Sequence, residues 1–459
     1  MPQFWVGKMG IKGNRAISGG LRAIIDYSPT KVLSDEKANQ SQIQLQSPER
    51  VIVLPPSSPG SKGDEGMMLG AVTMFSSGPI VVLNPDRCPK IFEPLLQYLN
   101  PGNVPTWSQV IAQARLKLAA SPDISEIRGP IHKFAPVLRP SDVVLCLGAD
   151  LLDGTCGVGA ALRRLDFMYR AQQMGIRVTA VCSFRQNVNR RIVAKIKMLT
   201  SCQFYLRDSE SFANFNSQVG MPGKYFPDIS TIFDAQGSTL TGPAATGLAR
   251  IRELRSSDAY LVGLNFSEQS FRSFYNLHSN FNRRKFVASV VQRVFDRLPE
   301  GHVVLISNDV RNWFNLPSDA RYQQWAKEFI DQRYGVGRCS VWEPTATYPE
   351  NIVLMGALDF VITGRMHLAH ATVRSNNLPL IIMGQGKGYS SYNKMTGMYE
   401  SFLGTSKGVV TKIEDLPEAI NWILQSKTEL LAKLETRNAE LRREKKALLP
   451  EFKLSLGLN

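Results

Sequence analysis

The run Asp142-Val143-Val144-Leu145-Cys146-Leu147 leads through the glycine-rich segment Gly148 to Gly159 and a helical stretch ending near Met174. It is answered by Ile176-Arg177-Val178-Thr179-Ala180-Val181. Two short, almost wholly apolar β-branched runs separated by a helix-length segment form a βαβ unit. Such strands pair in parallel and are buried on both faces, because the crossover helix returns over the sheet.

The same rhythm extends in both directions. Upstream lie Arg50-Val51-Ile52-Val53-Leu54 and Pro79-Ile80-Val81-Val82-Leu83, with helices predicted near Ile91 to Leu99 and Trp107 to Ala120. The rhythm breaks between Phe226 and Ala249, where Pro227, Gly237, Gly242, Pro243 and Gly247 fall among small residues, so the domain boundary is placed there. It resumes with strand-like runs at Ala259 to Leu264, Val303 to Ile306, Ser340 to Trp342, Asp359 to Thr363 and Leu378 to Met383, separated by amphipathic helices.

The expectation is an α/β protein of two Rossmann-like parallel-sheet domains, 49–235 and 248–425, facing across a cleft. A polar leader, 1–48, offers little to a core, and a charged helical tail, 426–459, closes the chain. The tail carries leucines at 430, 434, 441 and 448 but breaks its heptad at Arg437-Asn438, which reads as a helix lying on a domain surface.

With 43% hydrophobic and 20% charged residues, the composition is that of a soluble globular protein. No apolar run reaches the roughly 20 residues of a membrane span, and the N-terminus lacks a secretory h-region, so a cytoplasmic location is expected, with room for peripheral contact at the inner membrane face. The six cysteines show no C-x-x-C spacing and read as reduced core residues. A net charge of +15 is spread over clusters at Arg163-Arg164, Arg185 to Lys197, Arg283 to Lys285 and Arg442 to Lys446. No nucleic-acid motif accompanies them, and no nucleic-acid partner is expected.

Ligands of open α/β sheets bind beyond the carboxyl ends of the strands, so the loops there hold the candidate site. Ser57 to Glu65 is a glycine-bearing strand-to-helix turn whose free N–H groups suit an anion or a sugar hydroxyl, while Asp64 and Glu65 could equally serve the helix dipole. Asp150 and Asp153 follow the next central strand, either as general bases or as helix caps. Arg207 follows Cys202-Gln203-Phe204-Tyr205, with Asp208 or Ser209 as the cap of the next helix; its fork matches a carboxylate or phosphate, or a salt bridge.

Gly364-Arg365-Met366-His367-Leu368-Ala369-His370 closes one buried strand, and Gly386-Lys387-Gly388 follows the next. His367 and His370 share a helix face, yet Arg365 and Lys387 repel a divalent ion and no carboxylate completes a set, so zinc is rejected. The three basic residue types at two strand ends suit a small anion.

Gly63-Asp64-Glu65, Gly148-Ala149-Asp150 with Asp153-Gly154, Arg207-Asp208-Ser209-Glu210-Ser211, Gly364-Arg365-Met366-His367, and Leu378-Pro379 followed by Lys387 together resemble the polysaccharide pyruvyl transferase family, in family order from about Val51 to Val410. The resemblance implies a glycosyltransferase-B-like pair of domains. It implies transfer of a pyruvyl group from phosphoenolpyruvate, the co-substrate, onto two hydroxyls of a sugar, with no cofactor. The acceptor is either a polysaccharide or its lipid-linked precursor. Arg207, Arg365, His367 and Lys387 are then the donor-binding set. His367 is also assigned to proton delivery, and Asp64, Glu65 and Asp153 to positioning or deprotonating hydroxyls.

Two other readings stay open. A nucleotide-sugar glycosyltransferase on the same architecture needs a carboxylate for ribose hydroxyls, which Glu343 could supply. A non-catalytic basic protein binding polymer or membrane accounts for the charge, but not for Arg, His and Lys collecting beyond two buried strands.

Overall fold

The computed structural model describes residues 48–57, 59–75, 79–85, 106–115, 123–232, 240, 242–255, 259–268, 271, 277–311, 319–344, 346–384 and 391–458. The leader, the helix expected near Ile91 to Leu99, and Lys387 lie outside them.

Both sheets are wholly parallel. The first contains β1 (Arg50–Leu54), β2 (Ile80–Pro85), β3 (Ile124–Gly129), β4 (Asp142–Ala149), β5 (Arg177–Cys182), β6 (Gln203–Leu206) and β7 (Lys224–Tyr225), in the spatial order β3-β2-β1-β4-β5-β6-β7. The second contains β8 (Leu261–Leu264), β9 (His302–Leu305), β10 (Cys339–Val341), β11 (Phe360–Thr363), β12 (Pro379–Ile382) and β13 (Val409–Val410), ordered β10-β9-β8-β11-β12-β13. Each is doubly wound, and its order reverses between two central strands: β1 and β4 in the first sheet, β8 and β11 in the second. Such reversal points leave a crevice at the strand ends.

Alternation along the strands builds a core on each face. Ile52 and Leu54 point into one layer of the first domain and Val51 and Val53 into the other. Val303 and Leu305 pack on one side of the second sheet, Val304 and Ile306 on the opposite side. The edge strands β3, β7 and β13 were not legible as strands, because Ile124–Gly129 mixes charged with apolar residues and the other two are two residues long.

Within the stretch Phe226 to Ala249, where the domain boundary is placed, a helix already begins at Gly242 and runs to Arg255, and its Ala244, Leu248 and Ile251 form a buried stripe against Trp342 and Val304. The tail is not a surface helix of one domain. The Lys427–Ser455 helix buries Leu430, Leu434 and Leu441 in the second domain and Phe452 in the first, where Phe452 stacks on Phe226 at 4.4 Å and meets Tyr205 at 4.7 Å. Its leucines repeat at helical spacing because they face a core, not a second coil. Among the described residues no helix is long and apolar enough to cross a membrane.

Candidate active site

The helix α1 (Lys62–Met74) starts at the end of β1, and all its residues but Thr73 are buried. It reaches that depth because glycines stand where other elements touch it. A Cβ on Gly63 would fall 2.0 Å from Nδ1 of His367, on Gly66 2.7 Å from the Tyr348 ring, and on Gly70 1.9 Å from the carbonyl of Ile229. His367 and Tyr348 belong to the second domain, so α1 pins the two domains together.

The loop before α1 is bonded to the loop after β9. The Lys62 N–H donates to the Asn308 carbonyl at 2.8 Å, and the Val310 N–H to the Gly60 carbonyl at 2.9 Å. Side chains reinforce this seam. Arg311 lies 3.4 Å from Asp64 and 2.7 Å from Asp309, and it also donates to Ser57, which donates to Asp64. Arg365 continues the chain of charge to Asp319 at 3.2 Å and Asp309 at 3.8 Å. Burial alone would raise the Asp309 carboxyl, but Arg311 and Arg365 hold it below its ordinary value. At Asp319 burial wins over Arg365, and the carboxyl is raised.

Glu65 is buried beside Lys62, its oxygen 3.0 Å from the ammonium, and desolvation still pushes its pKa up. Its second carboxylate oxygen has no hydrogen-bond partner among the described residues.

Arg207 occupies the mouth of the first domain. Its Nη2 donates to Asp150 at 3.0 Å and its Nη1 to Asp228 at 3.2 Å, with Asp208 at 3.9 Å. Desolvation would lower its pKa, but these carboxylates more than offset it and raise it. Asp228 is in turn held far below the usual carboxylate range against its own desolvation, by Arg207, His367 and His370. Asp208 caps the following helix, accepting from the Ser211 N–H at 2.6 Å.

The structure therefore brings together Asp64, Glu65, Arg365 and His367 along the domain seam, and Arg207 beside them through Met366, whose Sδ is 3.8 Å from Nη2. His367 stands at the first turn of the Met366–Arg374 helix with its Nε2 buried and unpartnered among the described residues. Asp153 is placed differently. Fully buried, it accepts from the N–H groups of Thr155 at 2.8 Å and Arg185 at 3.3 Å, and so holds the loop after β4 in place. The picture of free cations also changes, because Arg207 and Arg365 are each paired with carboxylates.

Sequence reasoning passed over Arg311, Asp309, Asp319 and Asp228. Asp309 and Arg311 directly follow β9, so the strand-end rule could have found them. Asp228 lies in the stretch where the strand–helix rhythm breaks, and Asp319 becomes visible only when Arg365 folds onto it.

No family model matches the chain, and no curated protein does. Solved structures share its fold. Anabaena Alr3699/HepE, determined in complex with UDP and glucose, matches with a TM-score of 0.52 and 11% identity over 89% of this chain and 99% of its own. A UDP-glucosyltransferase from Polygonum tinctorium capable of glucosylating indoxyl matches with a TM-score of 0.51 and 10% identity over 90% and 99%. A Listeria monocytogenes protein described as a UDP-N-acetylglucosamine 2-epimerase matches with a TM-score of 0.51 and 12% identity over 84% and 90%. The architecture is glycosyltransferase-B-like.

Proposed function

We propose that the chain is a transferase that moves the pyruvyl group of phosphoenolpyruvate onto two hydroxyls of a sugar. The observation that carries this reading is the meeting of two helix starts at the reversal points of the two sheets. Neither α1 nor the Met366–Arg374 helix has a side-chain cap, and Gly63 in the first turn of one touches His367 in the first turn of the other. Helix N-termini without side-chain caps attract anions, the Lys62 N–H excepted because the Asn308 carbonyl accepts it, and the orphaned Nε2 of His367 adds a hydrogen-bonding group between them. With Arg207 and Arg365 already paired, the donor's charge falls to these N–H groups and His367, together with Lys387.

In the proposed reaction the methylene carbon of the donor takes a proton and its C2 becomes electrophilic. One sugar hydroxyl adds there, the C2–O bond to phosphorus breaks, and the second hydroxyl closes the ketal. Of the two hydroxyl protons released, one balances the new methyl group and the other leaves on phosphate. His367 is the proton donor, and Asp64, held by Ser57 and Arg311, orients a hydroxyl. Asp153 is left with a structural role.

The shared fold favours a second reading, glycosyl transfer from a nucleotide sugar, since HepE is a complex with UDP and glucose. What sets the two readings apart is the donor: the Gly60–Lys62 loop is bonded across to Asn308 and Val310, so a nucleotide sugar would have to lie beside this seam and not through it.

Phosphate release from phosphoenolpyruvate against a panel of sugars, with the product weighed by mass spectrometry, separates the two. A product heavier by a pyruvyl ketal supports the first reading. A hexosyl increment from a nucleotide sugar, with phosphoenolpyruvate inert, replaces it with the second. His367→Ala is expected to lower phosphate release about 10²-fold, the scale of losing one preorganised group.

A further inference from the structure

A cavity of about 270 Å³ opens between the domains beside the seam, bounded by the end of β6, the Met366–Arg374 and Ser391–Leu403 helices and the C-terminal helix. We infer that this cavity receives the neutral sugar acceptor, and that His370 is a binding residue for one of its hydroxyls. The inference rests on the sugar-acceptor half of the proposed function and is independent of the donor's identity.

Charge argues against an anion here. The two arginines that line the cavity are already engaged, Arg207 by Asp150 and Asp228, and Arg437 by Glu440 at 3.0 Å and Glu444 at 2.9 Å. Asp208 and Glu210 add two further carboxylates to the lining itself. Such a wall repels phosphate and carboxylate but accepts hydrogen bonds from hydroxyls.

Unsatisfied groups argue that something polar does bind. His370 is 7% exposed, lines the cavity, and neither of its ring nitrogens has a hydrogen-bond partner among the described residues. Nε of Arg207 is likewise buried without a hydrogen bond among them. Leaving a buried polar group unpaired is unfavourable, and a bound hydroxyl relieves it. Burial keeps the imidazole neutral, with its pKa pushed down to about 4. A neutral ring offers one donor and one acceptor, the pairing a hydroxyl needs.

Part of the remaining wall is apolar. Phe402 stands edge-on to His370 at 6.0 Å, and Tyr225, Met398 and Leu441 complete it. Sugars present C–H faces to such surfaces. The volume lies below the ~300–1,000 Å³ of pockets for drug-sized ligands, so one sugar unit is the natural occupant.

The test uses the full chain with methyl α-hexopyranosides of the gluco, galacto and manno series, and separately phosphoenolpyruvate. Binding is followed by saturation-transfer NMR and by the histidine ring signals, assigned among the chain's five histidines with His370→Gln. At least one glycoside should shift the His370 ring signal more than phosphoenolpyruvate does. Its affinity should fall about tenfold in His370→Ala, the worth of one hydrogen bond, and less in His370→Gln, whose amide retains a donor and an acceptor.

The proposal is overturned if no glycoside binds wild-type protein, if binding is unchanged in both variants, or if phosphoenolpyruvate is what moves the His370 ring. Should His370→Ala fail to fold, the wild-type ring spectra and His370→Gln decide. If a glycoside moves the ring while phosphoenolpyruvate is neither bound nor consumed, the donor assignment fails and this subsite stands.

Discussion

The ring of His367 rests directly on Gly63, so that a methyl group on the glycine would fall 2.0 Å from Nδ1 and 2.6 Å from the histidine Cβ. A glycine of the first domain thereby sets the position of a histidine of the second. The contact includes the histidine Cβ, so the ring cannot simply swing aside.

Gly63→Ala should therefore displace the histidine together with the start of its helix. Overpacking of this kind costs roughly 1–3 kcal/mol. Phosphate release from phosphoenolpyruvate is expected to fall toward the level of His367→Ala. Unfolding in urea and the release assay, run on the same preparation, check both parts. Unchanged turnover in Gly63→Ala would show that the position of His367 does not matter to the reaction.

Arg311 joins the domains through Asp64 while holding Asp309 of its own domain, and the Arg311 and Asp64 side chains are each only 13% exposed. Arg311→Met leaves the largely buried Asp64 without its cation and Asp309 with only Arg365 at 3.8 Å, and a loss on the order of 3 kcal/mol is expected. A double-mutant cycle with Asp64→Asn should give a coupling energy of about 1 kcal/mol or more. Strict additivity would mean that the pair does not tie the domains together.

His370 gives stability a definite pH dependence. Burial lowers its pKa from 6.5 to about 4, with Asp228 opposing and His367, Arg207 and Arg374 assisting. The unfolded chain takes up this proton near pH 6.5 and the folded chain only near 4, so the unfolded state binds more protons between them. Stability is full above pH 6.5 and declines as pH falls through that window, by on the order of 3 kcal/mol for this residue. His302, also lowered to about 4 chiefly by burial, contributes with the same sign. His370→Phe should flatten the decline, as read from urea unfolding at several pH values; an equally steep decline in the variant would refute the assignment.

Phe452 is fully buried 4.4 Å from the ring of Phe226. Phe452→Ala should destabilise the protein by about 3–5 kcal/mol, the range for a core phenylalanine. Because the same helix buries Leu434 in the second domain, one concerted unfolding transition should separate into two. Calorimetry checks this, and a single unshifted transition would mean that the helix does not couple the domains.

The central strands were legible because Ile52 to Leu54, Val143 to Leu147 and Val361 to Ile362 are buried on both faces of their sheets, and such strands must be apolar throughout. The helix at Gly242 was not, since glycine and proline that end one element also open the next. The tail's leucines were visible, but their two destinations were not, because periodicity identifies a buried face without saying what buries it.

Local chemistry thus determined the parallel sheets, the strand-end loops and the residue types gathered there, each a consequence of short-range propensity and burial pattern. Tertiary structure alone decided that Arg207 and Arg365 meet carboxylates, that Asp153 ties down a loop, and that Gly63 seats His367. Charge pairing and close approach depend on distances between residues far apart in the chain, and those distances exist only once both sheets have folded and docked.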